Sequence, residues 1–197
     1  MLERMIYFSG VAGTDREGLI EELLKRNERY IKGNAESVRK RRRSVYRNTR
    51  ELIEERAEAA RRHAELEELY PDKAVLADRS LHDTTAYILL QEGRHRLDGE
   101  EARELLIRQW ATYTPALLPQ KTVYLDYKLE DVKRHLHKEQ GWRNHRLNED
   151  AVKQTIRTYK DYFGSLDQGR DLLRLYVDDH DATIPVVERW VKERTGI

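Results

Sequence analysis

The chain has no cysteine in 197 residues. That absence excludes disulfides and thiolate zinc sites and is compatible with a reducing compartment, so a cytoplasmic location is expected. Proline occurs four times and glycine ten, with no low-complexity stretch and no linker-like segment. Apolar runs are only a few residues long, so no segment reads as a bilayer-spanning helix and no membrane partner is expected. Neither sign of charge dominates: 37 Lys and Arg face 36 Asp and Glu, a net charge of +1 that gives no global field selecting nucleic acid. Charge itself is abundant, at 37% of residues against 39% hydrophobic, which predicts a real core under a surface dense in ion pairs. The opening MLERMIYFSG carries acidic and basic residues ahead of a short apolar run, and reads as a buried strand rather than a signal peptide.

Periodicity organises the rest. Residues 5–9 (MIYFS) form an apolar, β-prone run ended by Gly10, and Leu19, Ile20, Leu23 and Leu24 then recur at helical spacing from about Thr14. Residues 37–69 lack Gly and Pro and carry apolar positions at rough helical spacing, which predicts one long charged helix stopping before Pro71. Further strands are expected at 74–77 (AVLA), 122–125 (TVYL) and 173–177, with a poorly signalled one between Glu28 and Gly33. Helices are expected at 84–91, capped by Asp83, and at 99–113, 129–138, 149–163 and 184–194. Residues 139–148 hold Gly141 among basic and ring-bearing side chains without apolar period, and read as a mobile lid. Strand–helix alternation predicts an α/β fold: three layers, α/β/α, around a mostly parallel five-stranded sheet, in a single domain over 1–197. Ligands of such sheets bind at the carboxyl ends of the strands, where Asp15, Asp78 and Asp126 fall.

The first strand runs into the turn Gly10-Val11-Ala12-Gly13-Thr14-Asp15-Arg16-Glu17. A phosphate-binding loop reads GxxxxGK(S/T), in which glycines let main-chain N–H groups wrap a phosphate, Lys neutralises it and the hydroxyl holds Mg²⁺. Gly10 and Gly13 fit, whereas Asp15, Arg16 and Glu17 stand at the Gly, Lys and Ser/Thr positions. Arg16 keeps the positive charge with a different geometry, Glu17 offers a metal ligand, and Asp15 brings a carboxylate toward the anion. The plainer alternative is a strand–turn–helix with no ligand. Asp78-Arg79-Ser80 directly follows AVLA. A carboxylate there can orient a hydroxyl nucleophile or bind Mg²⁺ through water, and Arg79 can hold a phosphate; otherwise the pair is a cap and a surface arginine. His82 reads as a helix-start residue. Arg134, Arg143 and Arg146, among Lys133, Lys138, His135, His137 and His145, form a basic segment able to stabilise charge over a phosphate, or else a solvated helix end. The run 39–43 (RKRRR) reads as a solvated helix face with nucleic-acid contact as the alternative, and Trp142 is placed to stack on a base.

In this order the segments resemble the deoxynucleoside kinase and thymidylate kinase group of P-loop kinases. SGVAGTDRE resembles SGVAGTGKS altered near its end, and ADRS resembles the (E/D)RS element after the third strand. DTTAYILLQEG resembles the helix that follows, TVYLDYKLEDVKRHL the strand and helix leading into an arginine-bearing lid, and LYVDDHDATIPVVERWVKER the last strand and closing helix. The likeness covers 5 to about 194. It implies strand order 2-3-1-4-5, ATP and Mg²⁺ as cofactors, residues Gly10, Val11, Ala12, Gly13, Thr14, Asp15, Arg16 and Glu17 as the nucleotide cradle, and Glu17 and Asp78 as metal holders. It also implies Arg16, Asp78, Arg79, Arg134, Arg143 and Arg146 as the catalytic set, a nucleoside or nucleotide as substrate, and a homodimer as an allowed assembly. The acidic residue these kinases carry after the second strand has no clear match, Glu36 being the nearest carboxylate. The chain is therefore expected to transfer a phosphoryl group from ATP to a nucleoside, nucleotide or similar small molecule, or to keep the fold as a catalytically silent module binding nucleotide, protein or nucleic acid.

Overall fold

The structure is a computed structural model that describes residues 4–12, 14–33, 44–113, 120–140, 148–166 and 171–197. Strands β1 (Met5–Ser9), β2 (Tyr30–Gly33), β3 (Ala74–Asp78), β4 (Lys121–Tyr127) and β5 (Leu172–Val177) form one sheet in the order β2-β3-β1-β4-β5. Every neighbouring pair is parallel, with Phe8 opposite both Asp78 and Val123. Both the expected order and the central position of the first strand are found. Among the described residues the helices are α1 (Arg16–Arg26), α2 (Val45–Leu69), α3 (Leu81–Gly93), α4 (Gly99–Thr112), α5 (Leu129–Gln140), α6 (Glu149–Ser165) and α7 (His180–Thr195).

β1 and β4 are buried along their whole length, which is why they read as continuous apolar runs rather than alternating ones. Ile6 and Phe8 join Leu19, Ile20 and Leu23 of α1 and Val187 and Val191 of α7 in the main core. Met5 and Tyr7, pointing the opposite way, pack with Val75 and Ala77 against Leu66 of α2. Helices therefore cover both faces. The far side of the core closes where Phe163 of α6 stacks on Tyr124 of β4, with ring centroids 4.2 Å apart and planes 9° apart.

Several boundaries differ from expectation for local reasons. The long helix expected over 37–69 starts at Val45, where Ser44 caps it by accepting from the Arg47 N–H. Ser80, not Asp83, is the N-cap of α3; Asp83 is the third helical residue of a capping box, so the helix starts ahead of residue 84. α7 starts at His180 under an Asp179 cap rather than at 184. α5 continues to Gln140, into the expected lid; 141–147, with Gly141, Trp142, Arg143 and Arg146, lie outside the described residues, as do Glu36 and the basic run at 39–43. Among the described residues no helix is long and apolar enough to cross a membrane.

Phe163 is fully buried and its ring anchors α6 to β4. Phe163→Ala is expected to destabilise the fold by roughly 3–5 kcal/mol, read as a lower urea midpoint with an unchanged slope.

Candidate functional site

The site lies at the carboxyl ends of β1 and β3. Gly10 begins the turn after β1, and a Cβ there would fall 2.8 Å from Thr14 Oγ1 and 3.0 Å from the Leu125 main-chain oxygen, so the turn presses directly on β4. Asp15 is the N-cap of α1, its carboxylate accepting from the Gly18 N–H at 3.0 Å. Gly18 makes room for it, since a Cβ would sit 2.5 Å from Asp15 Oδ1. A helix N-terminus attracts anions through its free N–H groups and its dipole, and here the protein supplies the anion.

Arg16 turns inward and is 6% exposed. Its Nε donates to Asp78 Oδ1 at 2.6 Å, and its Nη1 donates to the main-chain oxygens of Gly10 (2.6 Å) and Val11 (2.8 Å) and to Thr14 Oγ1 (2.8 Å). Burial works against this charge, but Asp78, and behind it Asp83, outweigh burial and hold the guanidinium above its ordinary pKa. Glu17 faces the other way: its side chain is 75% exposed and pairs with Lys32 of β2 at 3.2 Å. Gly13 lies outside the described residues.

Asp83 ties the site to α3. Its buried carboxylate accepts from Ser9 Oγ at 2.5 Å, the Ser80 N–H at 2.8 Å and the Gly10 N–H at 3.3 Å. One carboxylate thus fixes the end of β1, the start of the turn and the cap of α3. Between Ser80 and β3 stands Arg79, whose φ of 66° is left-handed and costs an L-residue roughly 1–2 kcal/mol. Its N–H still donates to the Phe8 oxygen at 2.8 Å, so the sheet ladder runs up to the kink that then redirects the side chain. Arg79 Nε lies 3.6 Å from Asp78 Oδ2.

Arg56 of α2 completes the group and was not anticipated. It is half-buried, and its Nη1 donates to the Asp78 main-chain oxygen at 3.4 Å. Among the described residues no carboxylate forms an ion pair with it. Burial, and next the nearby Arg79, lower its pKa. The signal for it was present: Arg56 falls three residues after Ile53 on a helix whose buried stripe continues through Ala57 and Ala60, and an arginine on such a stripe has a reason to face inward. Three guanidiniums, Arg16, Arg56 and Arg79, therefore surround two carboxylates, Asp78 and Asp83, leaving positive charge in excess. Buried Tyr113 and Tyr159 stand nearby with phenols pushed up in pKa mainly by burial, and Tyr159 donates to the Asp83 main-chain oxygen at 3.3 Å.

Other residues singled out in the sequence lie apart. Arg134 is exposed on α5 and pairs with Asp131 at 3.0 Å. Asp126, near the end of β4, is buried and paired with Lys160 at 3.2 Å. His82 Nδ1 shares a hydrogen bond with Tyr162 Oη at 2.8 Å, at the start of α3. Among the described residues no group of three or more His, Cys, Asp or Glu is arranged to hold a metal ion. The turn in this arrangement does not fit a Mg²⁺-bound triphosphate: Asp15 lies on the first turn of α1, Arg16 fills the loop and is bonded to Asp78, and Glu17 is paired on the outer side.

Two outcomes follow from this geometry. Arg16→Leu strands a partly buried carboxylate and is expected to cost roughly 2–4 kcal/mol, less than a fully buried pair because water reaches Asp78. In a denaturation cycle the double variant Arg16→Leu/Asp78→Leu should be more stable than the two single losses summed, by about 1 kcal/mol or more. His82 has its pKa lowered by burial, with Asp83 opposing, from the ordinary 6.5. The unfolded chain then binds the proton first, so stability present above 6.5 is lost as pH falls below it. The melting temperature of the wild-type chain should fall more steeply on acidification than that of His82→Gln.

No family model matches the sequence, and no curated protein matches it. Solved structures do. A deoxyadenosine kinase from M. mycoides with bound dATP aligns at a TM-score of 0.67 and 13% identity, over 94% of this chain and 97% of that one. The same enzyme with bound dCTP aligns at 0.63 and 12%, and with the products dCMP and a flexible dCDP at 0.61 and 12%, each over 96% of this chain and 99% of that one. With five parallel strands in the order β2-β3-β1-β4-β5 and a turn from β1 into α1 beside the end of β3, this chain has the P-loop kinase fold of the deoxyadenosine kinases.

Proposed function

We propose that this protein binds a nucleoside or nucleotide over the carboxyl ends of β1 and β3, with ATP-dependent phosphoryl transfer suppressed. The observation that carries the reading is the commitment of Arg16. Its guanidinium is bonded to Asp78 and to the carbonyls of its own turn, so the positive charge that a triphosphate would need is already used. Arg56 and Arg79 remain directed at the same strand end with weak partners. The similar deoxyadenosine kinases carry dATP or dCTP, which supports a nucleotide as the ligand class. In this reading Asp78 and Arg79 form the ligand side.

A second reading keeps catalysis: a kinase transferring a phosphoryl group from ATP, with Mg²⁺ held by Glu17 and Asp78 and Arg16 acting for Lys. The left-handed Arg79 beside Asp78 favours it, because strain of that kind gathers at functional sites. It requires Arg16 to leave Asp78.

Calorimetric titration with nucleosides and nucleotides, paired with an ADP-release assay, separates the two. The expected result is saturable binding without ADP release above the buffer rate. ADP release that depends on a nucleoside or nucleotide acceptor selects the kinase reading, and absence of any binding removes both.

A further inference from the structure

Resting on the nucleotide-binding reading above, we propose that Gln109 and Gln120 are positioning residues for that site. Their two buried amides clamp the main chain of Leu81 and so hold Arg79 in the left-handed turn that sets its side chain beside Asp78.

Arg79 is the strained link in a segment whose neighbours are all tied down. The Asp78 main-chain oxygen accepts from Arg56 of α2 at 3.4 Å, and the Arg79 N–H donates to the Phe8 oxygen of β1 at 2.8 Å. The Ser80 N–H donates to Asp83 at 2.8 Å. The Leu81 N–H donates to Gln120 Oε1 at 2.8 Å, and the Leu81 main-chain oxygen accepts from Gln109 Nε2 at 2.9 Å. Gln109 lies on α4 and Gln120 directly before β4, so the clamp reaches Leu81 from outside α3. A left-handed residue other than glycine persists only where its surroundings over-determine it, and these bonds do so.

Gln120 supplies what α3 cannot. The first N–H groups of a helix have no partner within its own ladder. Ser80 Oγ accepts the His82 N–H at 3.1 Å, and the Ser80 main-chain oxygen accepts the Asp83 N–H at 3.2 Å. Leu81 is buried, and its N–H depends on Gln120. Stability alone is a poor reason for either amide. Both glutamines are buried, yet Gln109 Oε1 and Gln120 Nε2 have no hydrogen-bond partner among the described residues. A buried polar atom left unpaired costs free energy that an apolar side chain of like shape would not. The bonds the two amides do make go to Leu81 and, from Gln109, to Thr85 Oγ1 at 2.9 Å. Each glutamine loses stability at one end of its amide and fixes the main chain after Arg79 with the other.

The test pairs amide hydrogen exchange of the ligand-free chain with calorimetric titration of dATP, dCTP and deoxyadenosine. In Gln109→Met and Gln120→Met, exchange at Arg79 and Leu81 should quicken about tenfold or more while β5 and α7 stay as in the wild type. The probe that the wild-type chain binds most tightly should bind each of these variants about tenfold or more weaker. Gln120→Glu keeps an acceptor for the Leu81 N–H and should stay within about twofold of wild-type affinity. Gln109→Glu sets an acceptor against the Leu81 oxygen and should bind no better than Gln109→Met. Gln154→Met, which meets α3 at Gly93, should change nothing. Unchanged affinity in the Met variants, exchange that quickens across the whole sheet, or Gln120→Glu as weak as Gln120→Met would overturn the clamp and leave the nucleotide-binding reading standing. No binding of any nucleoside or nucleotide by the wild-type chain overturns both.

Discussion

The ion pair between Arg16 and Asp78 is the contact on which the rest of the site depends. It joins the helix after β1 to the end of β3, and through Nη1 it also gathers the carbonyls of the β1–α1 turn. A charge buried this deeply is tolerated only with a partner and with its remaining donors satisfied, and Arg16 has both. With Arg16 drawn inward, Asp15 is left to cap α1 and Glu17 to pair with Lys32 at the edge of the sheet. Because Asp78 is already paired with Arg16, Arg56 and Arg79 gain little from it and remain the positive charge in excess at this strand end.

Fold and chemistry therefore separate in this chain. The parallel sheet and its covering helices are those of deoxyadenosine kinases at 12–13% identity, and they require only apolar strands and amphipathic helices in the right order. The chemistry of a phosphate loop requires particular residues at particular positions. A fold can persist after such residues change, because packing and site chemistry place different demands on the sequence.

What could be read from the sequence follows the same division. β1, β3 and β4 were legible because a fully buried strand is a continuous apolar run. β2 was poorly legible because it lies at the edge, where Ile31 is half-buried and Lys32 faces solvent, so half its residues answer to water. Asp78 and Arg79 were legible as the polar residues following AVLA, at the strand end where ligands bind. The partner of Arg16 was not, since it lies 62 residues away and no local pattern encodes that contact. Arg56 was not singled out because, on a helix this rich in charge, only its place beside the apolar stripe of Ile53, Ala57 and Ala60 sets it apart from the other arginines. The role of Asp83 was half seen, as a helix cap, while its bonds to Ser9 and Gly10 needed the third dimension.

Gly18 and Asp15 make the turn difficult to undo. The Asp15 carboxylate fills the space that a side chain at Gly18 would need, so a larger residue there would have to push the cap aside. Replacing Asp15 alone uncovers the first N–H groups of α1, and replacing Arg16 alone strands Asp78. Each single change toward a phosphate-binding loop therefore removes a contact the turn relies on, and residues in contact do not contribute additively. The turn thus behaves as a coupled unit, whose charged residues exchange with least loss as a set, since each holds in place what the others lean on.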